Sequence, residues 1–219
     1  MLISCLPTIC LGQPMQMVAG CHCFKDRSFD PARKFAADEY ILATSFNSML
    51  ASFFNISKRQ IIMLRMQGGV DGADLTTSLY IGKQLDMDFQ KILSLRSGGQ
   101  GWLQIIDEVN VKKSDPALNA ISSNPDVPAA AAAMLVSRYF SVPSEGVGKY
   151  RERGLSDKEI VLVLGLSARS GETADVLADL YSEKGKSWGE IASSLGITAG
   201  DVGAMIASLF QTATDSPKE

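Results

Sequence analysis

The sequence repeats itself at an offset of 86 residues, and this repeat constrains the fold more than any other feature of the chain. Its two tryptophans, Trp102 and Trp188, are that far apart, and so are the similar segments 53–56 (FFNI) and 139–142 (YFSV). Self-similarity of this kind is typical of a chain built from two copies of one structural unit. The predicted organisation is copy 1 at 38–114, a linker at 115–125, copy 2 at 126–212 and a disordered tail at 213–219.

Each copy divides again around glycines. Gly69, Gly99, Gly154 and Gly185 are each followed six residues later by a leucine or isoleucine. A glycine favours the left-handed backbone conformation that ends a helix, so each position predicts a short helix, a corner and a second short helix. No segment shows the alternation of a strand. The predicted fold class is all-α, a tandem duplication of helix-turn-helix-like hairpins with four short units plus lead helices.

Helix starts are predicted by side chains that accept hydrogen bonds from the first turn. Asp126 precedes a helix with Pro128 in its first turn, and Ser156 with Glu159 has the spacing of a capping box, which recurs at Ser187. These positions indicate where three helices of copy 2 begin.

Five large side chains recur in the repeat. Trp102 and Trp188 are predicted to pack between helices, because an aromatic residue at equivalent repeat positions usually fills the core. Arg65, Arg96 and Arg151 lie near predicted helix ends, where a cation interacts favourably with the helix dipole. An anion site at these arginines is the alternative interpretation.

Composition excludes several function classes. The 219 residues carry a formal net charge of -3, which gives no electrostatic reason to expect nucleic-acid binding. All four cysteines and the one histidine lie within the first 23 residues, so the body lacks the usual nucleophile–base and metal-ligand sets. Asp107 and Glu108 are adjacent on a helix and face different directions. We therefore expect the body not to be an enzyme.

The N-terminus predicts export. Residues 1–16 contain no charge, and 2–11 form a mostly apolar run of the length of a signal-peptide core, although no Lys or Arg precedes it. Residues 1–20 are therefore a predicted export signal, with a buried N-terminus and a cytoplasmic location as the alternative. The expected location is the periplasm or outer envelope. The segment 18–21 (VAGC) resembles the lipobox of bacterial lipoproteins, which implies lipidation of Cys21 and membrane attachment through a lipid anchor.

The cysteines also allow metal binding. Cys21, His22 and Cys23 could hold a soft metal ion such as zinc or copper through thiolate and imidazole ligands. The alternative is that these thiols are exposed by processing or pair with another chain. Within this N-terminal segment, 21–37, the charged residues after Cys23 predict a solvated, salt-bridged turn, with an anion site at Lys25 and Arg27 as the alternative.

Two further resemblances bear on function. Residues 20–31 (GCHCFKDRSFDP) resemble the opening of uncharacterised bacterial exported proteins with a G-C-H-C-F-x-D-R-x-F-D-P motif, which implies export but no activity. Residues 186–197 resemble the helix-turn-helix of bacterial regulators, which implies DNA binding. The helix expected next, 199–212, lacks the Arg and Lys side chains that such a reader needs.

The leading functional hypothesis is an exported helical-repeat protein, a non-enzymatic binding or assembly module of the bacterial cell envelope with an unidentified protein partner. A metal- or thiol-dependent protein using Cys21, His22 and Cys23 is the alternative. A DNA-binding regulator is the second alternative.

Overall fold

A computed structural model describes Phe24, residues 26–110 and residues 115–214. These residues form twelve α-helices, one 3-10 turn at Pro31–Arg33 and no strands, which confirms the predicted all-α class. The first six helices are α1 Asp38–Phe54, α2 Lys58–Met66, α3 Gly72–Leu85, α4 Phe89–Ser97, α5 Trp102–Val109 and α6 Pro116–Ser122. The other six are α7 Val127–Phe140, α8 Ser144–Glu152, α9 Asp157–Ser170, α10 Ala174–Ser182, α11 Trp188–Ser194 and α12 Val202–Thr214.

Predicted helix starts are confirmed with one exception. Asp126 accepts a hydrogen bond from the backbone N–H of Ala129 at 3.0 Å, with Pro128 in the first turn of α7. Ser156 and Glu159 form both halves of a capping box at α9. Ser187 caps α11, but the carboxylate of Glu190 bonds to Lys186 at 2.8 Å, so only half of the predicted box forms there.

The predicted corners are also confirmed. Gly69, Gly99, Gly154 and Gly185 have φ values of 61°, 93°, 84° and 62°, each in the left-handed region between two helices. A side chain would be strained in this backbone conformation, which explains why glycine recurs at these positions.

Helices distant in sequence pack together in one core. Helix α1 packs against α9 and α12 as well as its neighbour α2, while α7 packs against α3, α6 and α8. Ile41, Met49 and Leu50 on α1 are at most 1% exposed, and they belong to the same buried cluster as Leu162 on α9. The hydrophobic core therefore spans both predicted copies.

The residues 115–125, predicted to be a linker, contain helix α6. Asp115 accepts a hydrogen bond from Leu118 N at 2.8 Å, and Pro116 begins the helix. Leu118 and Ile121 are fully buried. The Pro, Ser, Asn and Asp content suggested a linker, but the same residues cap a short helix. At the other end, α12 continues to Thr214, two residues beyond the predicted end of copy 2.

The first residue of α1 and the segment before it form hydrogen bonds with the hairpin of α10 and α11. Asp38 accepts hydrogen bonds from the backbone N–H groups of Trp188 at 3.0 Å and Gly189 at 2.9 Å. Lys34 donates to the carbonyl of Gly185 at 3.0 Å. These contacts link residues about 150 positions apart and hold the start of α1 in place.

Candidate functional site

A cleft of about 410 Å³ opens between α1, α2, the start of α3 and the residues around Phe24. We call it the α1–α2 cleft. Its walls are formed mainly by Tyr40, Ala43, Thr44 and Asn47 of α1 and by Lys58, Ile62, Arg65 and Met66 of α2.

The periodicity of α2 places two cations on the cleft. Lys58, Ile62, Arg65 and Met66 are spaced i, i+4, i+7 and i+8, which puts them on one face of a helix. Ile61, three residues after Lys58, lies beside this face and is fully buried in the core. Its buried side chain anchors α2, and the neighbouring face lines the cleft.

Lys58 is half-buried at one end of the cleft. Its ammonium donates a hydrogen bond to the hydroxyl of Thr44, which is itself 7% exposed. Burial lowers the pKa of Lys58 below its ordinary value. Within the part of the chain that the structure describes, Lys58 forms no ion pair with a carboxylate.

Arg65 is held differently from the other arginines of the repeat. Arg96 and Arg151 form ion pairs, with Asp74 at 3.1 Å and with Asp157 at 2.6 Å. Arg65 instead donates to the amide oxygen of Asn47 at 3.4 Å. The hydrogen-bond partner of this guanidinium is therefore a neutral amide and not a carboxylate.

The carboxylates nearest to Arg65 are already engaged. Asp71 lines the cleft but accepts hydrogen bonds from the backbone N–H groups of Ala73 and Asp74, which begin α3. Glu39 also lines the cleft and has an interaction partner of its own. Lys158 lies near Arg65 in an adjoining cavity, and its pKa is lowered by burial and then by the charge of Arg65. The lining of the α1–α2 cleft thus contains three cations, Arg27, Lys58 and Arg65, and two carboxylates, Glu39 and Asp71.

The outer wall of the cleft is aromatic. Phe24 contacts Tyr40 edge-to-face, with ring centroids 5.5 Å apart. The guanidinium of Arg27 lies 5.7 Å from the centroid of the Tyr40 ring and donates to the carbonyl of Phe24 at 3.3 Å. The cleft thus combines a cationic floor with an aromatic and aliphatic wall.

No protein-family model, curated protein or solved structure matches this chain. None of the helices in residues 26–110 and 115–214 is long and apolar enough to cross a membrane.

The predicted metal and lipidation residues lie outside the described part of the chain. These are Cys21, His22 and Cys23, so the soft-metal site and the acylation of Cys21 stay predictions. Lys25 also lies outside it, whereas Arg27 is at the rim of the cleft, where the sequence allowed an anion site. The predicted salt-bridged turn is formed by Asp26 and Asp30, which pair with Arg33 at 2.8 and 3.2 Å.

Both tryptophans are packing residues, as predicted. Trp188 is fully buried and Trp102 is 7% exposed. For the three recurring arginines, Arg96 and Arg151 form ion pairs close to helix ends. Arg65 also lies in the last turn of its helix but faces the cleft, so the structural interpretation alone does not account for it.

Sequence reasoning missed a group of polar residues at the cleft: Thr44, Asn47 and Lys58 line it, and Ser48 lies next to them. Most of these polar residues are replaced by apolar ones 86 positions later in the sequence. The residues there are Ala130, Ala133, Met134 and Ser144, in place of Thr44, Asn47, Ser48 and Lys58. A difference between copies at positions that face the core was the available signal. It indicates that α1 and the start of α2 carry polar groups that are absent 86 residues later in the sequence.

Helix α12 occupies the position of a recognition helix in the helix-turn-helix resemblance. Its Val202 and Ile206 are fully buried, and the helix packs against α1. This face of α12 belongs to the interior of the protein.

Proposed function

We propose that the protein is an exported, non-enzymatic binding protein whose α1–α2 cleft holds a small organic anion. The observation that carries this proposal is the pair Lys58 and Arg65, two half-buried cations on one helix face without a carboxylate partner in the described residues. Half-buried charges are costly unless something pairs with them, so the pair favours an anionic ligand.

The spacing of the two cations fits one anionic group. Lys58 bonds to Thr44 and Arg65 bonds to Asn47, and these two partners are three residues apart on α1. Side chains at that spacing have Cβ atoms about 5–6 Å apart. Thr44 and Asn47 thus hold the ammonium of Lys58 and the guanidinium of Arg65 on the same stretch of α1. We expect a carboxylate bound between these two donors to accept hydrogen bonds from both.

The rest of the cleft fits an apolar substituent. Ile62, Met66 and Tyr40 line the space beside the cations, and a volume of about 410 Å³ is ample for a small molecule. Binding sites of this kind combine apolar walls with a few placed polar groups. The ligand class that matches both features is a carboxylate with an aliphatic or aromatic body.

The proposal includes the tandem duplication. Three pairs of helices begin 86 residues apart: α2 and α8, α5 and α11, and α6 and α12. The pairs α3 and α9, and α4 and α10, begin 85 residues apart, and α1 and α7 begin 89 apart. Packing follows the same relation: α1 packs against α9 and α12, and α7 against their counterparts α3 and α6. The first helix of each copy thus packs against helices from the other half of the chain, and the two sets of contacts are related by an approximate two-fold arrangement.

Export and a lipid anchor are proposed on the sequence alone. Their support is the uncharged segment 1–16 and the lipobox-like residues before Cys21. An envelope location suits a protein that captures small anions entering the cell.

The anion site is tested by calorimetric titration with 2-hydroxy-4-methylpentanoate, a carboxylate with an aliphatic body. We expect Arg65→Gln to weaken binding about tenfold or more, because a hydrogen bond to a charged group contributes about 1.5–3 kcal/mol. The matched control is Arg59→Gln, which removes the same charge from an exposed position on the same helix. Equal affinities for wild type and Arg65→Gln, or no binding to either, would contradict the proposal.

A further inference from the structure

We propose that Lys58 forms a reversible imine with the carbonyl carbon of a 2-oxo acid whose carboxylate is held by Arg65. This inference rests on the proposed function, because it uses the same cleft, and it names the ligand class.

The amine of Lys58, on α2, packs between side chains of α1 and the backbone of α12. The hydroxyl of Thr44 accepts its hydrogen bond, and Ser48 lies beside it on α1. From α12, Gly203 faces the same point: a Cβ there would be 2.9 Å from Lys58 Nζ, from Ser48 Oγ and from Thr44 Oγ1. The missing side chain of Gly203 therefore provides the space that the amine occupies.

The positions 86 residues away from Lys58 and Gly203 do not combine these features. The residue equivalent to Lys58 is Ser144, and the residue equivalent to Gly203 in α6 is Ala117. The glycine thus occurs where the lysine occurs, which associates it with the amine rather than with the scaffold.

A lysine must lose its proton to act as a nucleophile. Around Lys58, the hydrogen-bonding groups are neutral hydroxyls, and no described carboxylate pairs with it to hold the ammonium form. Burial also lowers its pKa. Desolvation of this kind is a known way in which proteins activate a lysine for imine formation.

The position of Arg65 selects the carbonyl compound. In a 2-oxo acid the carbonyl carbon is bonded directly to the carboxylate. Thr44 and Asn47, which hold Lys58 and Arg65, are three residues apart on α1, and Cβ atoms at that spacing are about 5–6 Å apart. A carboxylate on Arg65 therefore places the adjacent carbonyl on the side of the cleft where Lys58 lies.

The reaction balances without an oxidant or reductant. The neutral amine attacks the carbonyl carbon, a C–N bond forms, and the carbonyl oxygen leaves as water. Starting from the ammonium form, one ammonium and one carbonyl group give one protonated imine and one water. The step is reversible, so it retains the ligand without consuming it.

The test is borohydride trapping in the full-length protein. Protein is incubated with 4-methyl-2-oxopentanoate and reduced with sodium borohydride, and the adduct is located by intact-mass analysis and peptide mapping. We expect one adduct per chain, on Lys58. Lys58→Arg should abolish it, while Lys91→Arg, on the exposed face of α4, should leave it in place. Gly203→Ala keeps the amine but fills its space, and should lower the yield at a fixed time severalfold.

The outcomes separate this inference from the proposed function. If the 2-oxo acid and its 2-hydroxy analogue both bind but no adduct forms at Lys58, the imine is wrong and the anion site stands. If adducts spread over exposed lysines and survive Lys58→Arg, the imine is also wrong. If neither acid binds, both proposals fail.

Discussion

Two carboxylates, Asp38 and Glu159, bond to the same tryptophan, but their pKa values are shifted in opposite directions. Asp38 accepts from the backbone N–H groups of Trp188 and Gly189, which lower its pKa, but burial and, to a smaller extent, the charge of Glu159 raise it, so the net pKa is raised. Burial also acts to raise the pKa of Glu159, but hydrogen bonds from Ser156, Tyr181 and Trp188 outweigh it, so the net pKa is lowered. The ionised form is therefore disfavoured at Asp38 and favoured at Glu159.

These shifts predict opposite effects on acid sensitivity. Glu159 stabilises the fold above its ordinary pKa of 4.5, and this contribution is lost as pH falls through the lowered value. The contribution of Asp38 is full below its ordinary 3.8 and is lost as pH rises through the raised value. We expect Glu159→Gln to reduce the loss of unfolding free energy between pH 7 and pH 3, and Asp38→Asn to increase it. Urea unfolding at both pH values measures this. Changes of the same sign in both variants would refute the assignment.

At the scale of helices, α9 and α12 approach each other closely at Gly165. A Cβ at Gly165 would lie 2.1 Å from Cδ1 of Ile206, a fully buried side chain. Glycine is required here because a larger residue would push the two helices apart.

Gly165→Ala should therefore destabilise the protein. We expect a loss of about 1–3 kcal/mol, the usual cost of overpacking a core, measured as the free energy of urea unfolding. The matched control is Gly146→Ala in α8, where a Cβ would meet nothing within 4 Å. That change should stabilise the protein by about 0.5–1 kcal/mol, because alanine is the better helix former. Similar effects at both glycines would show that helix propensity, and not the crossing, determines the result.

Much of the helical structure could be predicted from local sequence signals. The cap at Asp126, the capping box at Ser156 and the left-handed glycines all act through bonds within a few residues, so the sequence carries them directly. Helix α6 was missed because its Pro and Asp residues suit both a linker and a helix start. What decides between them is the burial of Leu118 and Ile121 by distant helices.

At the scale of the whole molecule, the two proposed copies are intertwined and not stacked in order. Helix α1 packs against α9 and α12, and α7 against α3. An aromatic cluster joins both copies as well: Phe53 of α1, Tyr139 of α7 and Phe210 of α12 have ring centroids 5.3–6.4 Å apart. Each half thus leaves apolar faces uncovered when the other is absent.

This arrangement predicts that neither half folds alone. Fragments 1–112 and 113–219, expressed separately, should have little helical circular dichroism or should self-associate, because α1 and α7 lack their partners. Mixing them should restore the helical signal and a cooperative thermal transition. Full helicity in each isolated monomeric fragment would contradict the exchanged packing.

The candidate site could be predicted only in part, for a related reason. The sequence shows that Arg65 ends a helix, but not that Asn47 replaces a carboxylate as its partner, since that contact joins two helices. The residues around Lys58 form no motif that marks this lysine in the sequence. Its significance emerges only when α1, α2 and α12 are brought together around Gly203.

The central claim is that copy 1 alone has an anion-binding cleft, and an amide chemical-shift titration tests it most directly. Uniformly ¹⁵N-labelled protein is titrated with 2-hydroxy-4-methylpentanoate at constant ionic strength. We predict saturable shifts concentrated at Tyr40, Thr44, Asn47 and Lys58, with none at the equivalent Ala130 and Ala133 of copy 2. Equal shifts in both copies, or shifts confined to surfaces away from the α1–α2 cleft, would contradict the account.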